Sequence, residues 1–128
     1  MNRGSPLVDK FILEQIDTIP HLEALLLVWN SRPKEWSADE MARSLYVTAD
    51  VAAKVLRDLA QRGLLEEAPA PSGSYRYKSG TADQDDLVAL VDETYRRELI
   101  RISRMVHSKA PTAVRDFARA FRFTKEKD

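Results

Sequence analysis

The side chains best suited to chemistry are few in this sequence and lie far apart. His21 and His107 are its two histidines, and we find for neither an Asp, Glu or second His at metal-ligand spacing on the same helix face. The absence of cysteine excludes disulfides, thiolate nucleophiles, iron–sulfur clusters and zinc ribbons. Structural or surface roles are therefore predicted for both histidines.

An acidic cluster at Asp83, Asp85 and Asp86 resembles a metal site. Adjacent acids at the start of a helix, however, more typically interact with the helix dipole. No Gly-x-Ser-x-Gly occurs, and the glycines fall at termini or turns rather than in a phosphate loop. We therefore expect no catalytic residue, no metal, no cofactor and no enzymatic activity.

The chain is 128 residues long, which is enough for one domain with a docking element. Hydrophobic residues make up 44% and charged residues 31%, so a packed core is expected. A formal net charge of zero argues against indiscriminate coating of nucleic acid. No apolar run of about 18 residues is present, and the N-terminus lacks an apolar signal core, so the sequence predicts a cytoplasmic protein without a membrane partner.

The charges are unevenly distributed along the chain. Residues 1–80 carry a net charge of −1, residues 81–95 carry −5, and residues 96–128 carry +6. Acids followed by bases suit one long helix, because each sign then lies near the helix end that favours it. A basic C-terminal face that meets an acidic partner is the alternative.

Helix signals dominate the first half of the chain. Ser37 and Glu40 have the capping-box spacing, Thr48 is a second cap, and Gly63 is suited to end a helix in the left-handed conformation. Pro20 is expected to break the first helix. Apolar residues recurring at three- and four-residue steps predict helices over residues 6–18, 21–30, 39–45 and 49–62.

After Gly63 the pattern indicates a β-hairpin. Residues 64–67 read as one strand, and the alternation of Tyr75, Arg76, Tyr77 and Lys78 reads as a half-exposed second strand. The two tyrosines are expected to face the core and the two bases to face outward. The predicted core of the three-helix unit also includes Trp29 and Tyr46.

A long helix is predicted over residues 83–107 and a short one over residues 113–123. The long helix exceeds the diameter of the small domain, so a second copy is expected to cover its apolar residues. The alternative is that it folds back over the first two helices of its own chain. Phe side chains of the short helix are expected to dock nearby, with a membrane surface or partner groove as the alternative. The predicted dimerisation residues are Val88, Val91, Tyr95, Leu99, Ile102, Phe117 and Phe121.

Residues 21–78 resemble a winged helix-turn-helix domain of bacterial transcription regulators. The resemblance is carried by residues 37–42 (SADEMA), the helix over 49–62, and the run VLRDLAQRGLL at 55–65. The long helix is similar to the dimerisation helices of MarR-like and PadR-like regulators. The resemblance implies a mainly α fold with a small β-hairpin. It divides the chain into an N-terminal helix in residues 1–20, a winged domain in residues 21–80, and a dimerisation segment in residues 81–128.

The resemblance implies a small cytoplasmic transcriptional regulator that binds double-stranded DNA as a homodimer. An exposed helix fits the major groove, and a hairpin beside it reaches phosphates. Residues 48–80 carry a net charge of only +1, which is low for a DNA reader, so a winged helix that regulates through a protein partner is the alternative. The predicted DNA-binding residues are Thr48, Lys54, Arg57, Gln61, Arg76 and Lys78.

Overall fold

A computed structural model of the chain describes residues 5–69 and 73–109. Within them it has six helices and a two-stranded antiparallel sheet, which confirms the mainly α fold with a small hairpin. None of these helices is long and apolar enough to cross a bilayer. The predicted helix over 113–123, with Phe117 and Phe121, lies outside the described residues. The elements are α1 (Ser5–Gln15), α2 (Ile19–Asn30), α3 (Ala38–Leu45), α4 (Ala49–Gln61), β1 (Leu65–Glu67), β2 (Tyr75–Tyr77), α5 (Ala82–Arg97) and α6 (Leu99–His107).

The central helix is α2, which packs against α3, α4, α5, α6 and β2. Its side chains are buried on most sides, as expected of a helix that is apolar nearly all round. It begins two residues earlier than predicted because the Thr18 side chain caps it, accepting a hydrogen bond from the His21 amide. Pro20 lies in its first turn, where no N–H is needed. The preceding helix α1 consequently ends at Gln15 rather than at residue 18.

The helix-turn-helix unit consists of α3 and α4, and its ends are set by local hydrogen bonds. The Ser37–Glu40 capping box forms in both directions. Thr48 caps α4 by accepting a hydrogen bond from the Val51 amide at 3.2 Å. At the other end Gly63 adopts φ 77°, and the Leu64 amide bonds the Leu59 carbonyl at 3.0 Å. This is the Schellman arrangement, which places glycine at the left-handed position.

The hairpin pairs β1 with β2 in the register Leu65↔Tyr77 and Glu67↔Tyr75. Trp36 bridges to Tyr75 through two backbone hydrogen bonds of 2.7 and 2.8 Å, which ties the segment before α3 to the hairpin. Tyr77 is buried and meets Trp29 edge-on, with ring centroids 5.0 Å apart. The core placement of Trp29 and Tyr77 is therefore confirmed. The placement of Tyr46 is wrong, because this side chain is 94% exposed.

The single long helix predicted over 83–107 is two helices in the structure. Glu98, with φ −125° and ψ 46°, separates α5 from α6, and the change of direction allows both helices to pack against α1. Two contacts fix α6 there: Arg101 donates to Asp9 at 3.1 Å, and the Lys109 ammonium donates to carbonyls at the end of α1, including that of Leu13. The helices fold back over their own chain, which is the alternative that the sequence left open.

The fold depends on the buried face of α4, and Leu56 lies fully buried at its centre. We expect Leu56→Ala to lower the free energy of unfolding by about 2–5 kcal/mol, because it removes buried methyl groups and leaves a cavity. Urea denaturation measures the change. Val51→Ala on the exposed side of the same helix is the matched control and should cost less than about 1 kcal/mol. Equal losses in the two variants would contradict this account of α4.

Candidate nucleic-acid interface

The exposed side of α4 and its N-cap carry four of the predicted DNA-binding residues. Thr48, Lys54, Arg57 and Gln61 are all exposed, while the opposite face, formed by Ala52, Val55, Leu56 and Leu59, is buried. The helix period places Lys54, Arg57 and Gln61 opposite the buried set, whereas Thr48 is exposed because it precedes the helix as its N-cap. We call the exposed set the α4 outer face.

The two cations of the α4 outer face differ in their surroundings. The Lys54 ammonium donates to Asp58 Oδ2 at 2.8 Å, although its side chain remains 67% exposed. Arg57 forms no ion pair with any residue that the structure describes. Burial and the nearby Glu67 raise the pKa of the Tyr75 phenol, and the charge of Arg57 opposes this. Arg57 therefore lies near Tyr75 of the second strand, in surroundings that also include the Glu67 carboxylate.

The two predicted hairpin cations also differ. Arg76 Nε donates to Glu66 Oε2 at 2.8 Å, and its guanidinium lies 3.7 Å from a Glu35 oxygen. Lys78 is exposed and has no ion pair within residues 5–69 and 73–109. Lys78 is therefore free to meet an anion, whereas Arg76 has to share its charge with two carboxylates.

A polar junction that the sequence analysis missed ties α4 to the first turn of α2 and to the residues that precede it. His21, which is buried, lies 2.8 Å from Asp58 Oδ2 through Nε2 and 2.6 Å from the Thr18 hydroxyl through Nδ1. Arg62 donates to Asp17 Oδ2 and to the Gln15 carbonyl, both at 2.8 Å. The spacing of Asp17 four residues before His21 was a visible signal. Asp58 lies 37 positions after His21, and no spacing in the sequence indicates that the two residues meet.

Both carboxylates of this junction are stabilised in the charged form. Burial alone would raise the pKa of Asp58, but hydrogen bonds from Lys54 and His21 outweigh it and leave the pKa below its ordinary value. Asp17 behaves in the same way, with Arg62 as the dominant partner. The ligand atoms of Asp17, His21 and Asp58 lie within 4.8 Å of one another. Since Lys54 and Arg62 already hold the carboxylates, we interpret the group as an ion-paired junction.

The other candidate chemical residues have structural or surface placements. Thr81 caps α5, and Asp83 and Asp85 lie in its first turn, as the dipole interpretation predicts. Asp85 also accepts hydrogen bonds from the Tyr77 hydroxyl at 2.7 Å and from Ser79 at 3.2 Å. Burial and the hydrogen bond to Asp85 raise the pKa of the Tyr77 phenol far above its usual range. His107 is exposed at the end of α6.

The predicted dimerisation residues divide into two groups. Val88, Val91 and Ile102 are fully buried in helices that pack on α1 and α2 of the same chain. Tyr95 is partly buried, and its hydroxyl donates to Glu23 at 3.2 Å. Leu99 is 48% exposed, and its neighbour Ile100 is 63% exposed. Among the predicted residues that the structure describes, Leu99 is thus the exposed one, and Ile100 adds to the apolar surface at the start of α6.

An open cleft of about 300 Å³ lies between α2, α3 and α5. Its apolar wall includes Leu26, Leu27 and Leu45, and its rim carries acidic and basic side chains such as Asp92 and Arg96. Arg96 is engaged with Asp92 at 3.0 Å and with Asn30 at 3.0 Å. The polar groups at the rim are therefore already paired with one another.

Three packed helices, the last two joined by a tight turn and followed by an antiparallel hairpin, define a winged helix-turn-helix. No family model and no curated protein matches the chain, but solved structures do. It is similar to RV1404 from Mycobacterium tuberculosis, with a TM-score of 0.52 and 20% identity over 97% of this chain and 80% of that one. It is also similar to a MepR mutant from a multidrug-resistant S. aureus clinical isolate, with a TM-score of 0.51 and 16% identity over 96% and 86%.

A third similar structure is the MarR family protein RV2887 of Mycobacterium tuberculosis, which is 26% identical with a TM-score of 0.49 over 95% of this chain and 82% of that one. The likeness to RV1404 and MepR confirms the winged helix-turn-helix fold that the sequence predicts. The chain has a winged helix-turn-helix architecture. Fold alone does not define function, which has to be argued from the α4 outer face.

The lowered pKa of Asp58 makes a prediction about pH and stability. A carboxylate whose pKa is lowered in the folded protein stabilises the fold at pH values above its unfolded pKa, near 3.8. This contribution is lost as the pH falls through the lower pKa of the folded state. We expect Asp58→Asn to cost about 1–3 kcal/mol at neutral pH. Urea denaturation from pH 7 to pH 3 should show the difference from wild type shrinking below about pH 4.

Asp86→Asn, a change at an exposed carboxylate of α5, is the control and should show little difference at any pH. A cost of Asp58→Asn that stays constant across the whole range would contradict the charged junction.

Proposed function

We propose that this protein is a small cytoplasmic transcriptional regulator that binds double-stranded DNA through α4, with the hairpin alongside. The observation that supports it best is the division of α4 into a fully buried inner face and an exposed α4 outer face that carries Lys54 and Arg57. A helix held in this way presents a convex surface of the width that the major groove accepts. The protein then acts by binding rather than by catalysis.

The proposed contacts follow from the chemistry of each side chain. Arg57 offers a planar fork that suits a guanine edge or a phosphate, and Lys54 offers a point charge to a phosphate. Thr48 lies at the N-terminus of α4, where the helix dipole and free amides favour an anion. Gln61 supplies an amide at the other end of the exposed face. From the hairpin, Lys78 is the better-placed phosphate contact, because Arg76 is shared between Glu35 and Glu66.

The charge of the interface limits how it binds. Lys54 and Arg76 are each paired with a carboxylate. Each ion pair must therefore rearrange before its cation can neutralise a phosphate and release the counterions of the DNA. A single domain would therefore bind modestly, and we propose that two copies bind together as a homodimer.

The same ion pairs favour a second candidate function, in which the winged helix binds a protein partner and regulates without contacting DNA. Neutralised cations are less costly to bury against a protein than free ones. Wild-type protein that retards no duplex at low salt, but captures a specific partner from its host, would support this second function.

Removing the two cations of the α4 outer face tests DNA binding. We expect Lys54→Ala combined with Arg57→Ala to weaken binding at least tenfold, about 1.4 kcal/mol or more. Fluorescence anisotropy with a duplex from the upstream region of the protein's own coding sequence measures the affinity. The affinity of the wild type should also fall steeply with salt.

The matched control is Arg96→Ala combined with Arg97→Ala, which removes two exposed positive charges from α5. It should bind as tightly as wild type. Equal weakening in both double variants would indicate a general charge effect and contradict the assignment of α4.

The proposed homodimer rests on apolar side chains that the described residues leave uncovered on α1 and α6. Leu7 and Leu13 are exposed on α1, and Leu99 and Ile100 are exposed at the start of α6. The two helices are in contact, and Arg101 bonds Asp9 across them. We call this set the α1/α6 surface and propose that the second protomer packs on it.

We expect Leu99→Asp combined with Ile100→Asp to weaken dimerisation at least tenfold, because two charges would enter an apolar contact. Aspartate suits the first turn of a helix, so α6 should remain folded. Sedimentation equilibrium measures the dimer constant and circular dichroism checks the fold, with Ala89→Asp on the exposed side of α5 as the control. A monomeric wild type would contradict the proposal.

A further inference from the structure

The turn of the helix-turn-helix contains an unusual residue. Tyr46 follows α3 and caps it, with φ 60° and ψ 45°, in the left-handed region. Glycine is usual at such a position because it has no Cβ, and asparagine also tolerates it because its short polar side chain can form local hydrogen bonds. The cap itself needs only the backbone, because it is the Tyr46 amide that bonds the Ala42 carbonyl. The tyrosine side chain therefore adds strain without contributing to the cap.

The side chain of Tyr46 has no structural role within residues 5–69 and 73–109. It is 94% exposed, and the described chain offers its ring no aromatic partner and its hydroxyl no hydrogen bond. A large aromatic side chain that is both strained and fully solvated is unfavourable for the isolated fold. Strain of this kind is concentrated at binding and catalytic positions.

The position of Tyr46 indicates what it binds. It lies two residues before Thr48, the cap of α4, so its side chain starts at the end of α4 that would enter the groove. Val51, in the first turn of α4, is also exposed, at 43%. Arg43, exposed in the last turn of α3, adds positive charge three residues earlier.

We propose that Tyr46 is a DNA-contacting residue whose hydroxyl donates to a backbone phosphate and whose ring lies against the adjoining sugar. This inference rests on the proposed function and adds a residue that positions α4 in the groove. Phosphate contacts of this kind fix the register of a reading helix without carrying sequence information. Tyr46 should therefore affect affinity for every duplex, not the preference among sequences.

The test is to remove the side chain and relieve the strain in one step. We expect Tyr46→Gly to keep or raise the melting temperature, because glycine adopts the left-handed conformation freely, while its affinity for the upstream duplex falls about fivefold to tenfold. Tyr46→Asn should behave similarly, because asparagine also tolerates this conformation. Tyr46→Phe, which loses the hydroxyl alone, should bind about twofold to fivefold more weakly. Anisotropy and thermal unfolding are measured on the same samples.

The outcomes separate this inference from the function on which it rests. If wild type binds the duplex and Tyr46→Gly binds equally well, the inference fails and the proposed function stands. If Tyr46→Gly loses stability in step with affinity, Tyr46 is structural and the inference also fails. If wild type binds no duplex, and Tyr46 is instead needed to hold a protein partner, both the DNA-binding function and this assignment are overturned.

Discussion

The burial of one face of α4 is the constraint on which the rest of the structure depends. Ala52, Val55, Leu56 and Leu59 must be covered by α2 and α3, and this requirement fixes the rotation of α4 about its own axis. The local caps at Thr48 and Gly63 then fix where the helix begins and ends. Once rotation and length are set, the residues that face solvent follow without further choice. The interface is in this sense a consequence of the core.

Polar contacts add a second constraint, which couples the stability of α4 to its charge. Asp58 Oδ2 is bonded both to the His21 ring and to the Lys54 ammonium, so one carboxylate holds α4 to the first turn of α2 and also restrains a proposed DNA contact. Arg62 makes a parallel connection to Asp17. Such ties limit how far α4 can move when it meets a ligand. They also explain how a nearly neutral interface can still present cations in fixed positions.

The sequence predicted the features that depend on neighbouring residues, and it failed where distant residues decide. The Ser37–Glu40 box, the Thr48 cap and the hairpin alternation involve partners a few positions apart, and the structure contains all three. Tyr46 was assigned to the core from its type, but its left-handed backbone and its place in the turn leave it in solvent. The break at Glu98 serves packing on α1, which no local pattern reveals. The junction of His21 with Asp58 joins residues 37 positions apart and was equally invisible.

The claim that α4 is the DNA-reading element is tested most directly by the residues whose amide signals respond to a duplex. Titrating the isotope-labelled full-length protein with upstream DNA at low salt, and following backbone amide shifts by NMR, reports contact residue by residue. The account predicts that the largest changes cluster over residues 46–61 and over the strand Tyr75–Tyr77 with Lys78. Changes confined to α5 and α6, or no change at saturating duplex, would contradict it.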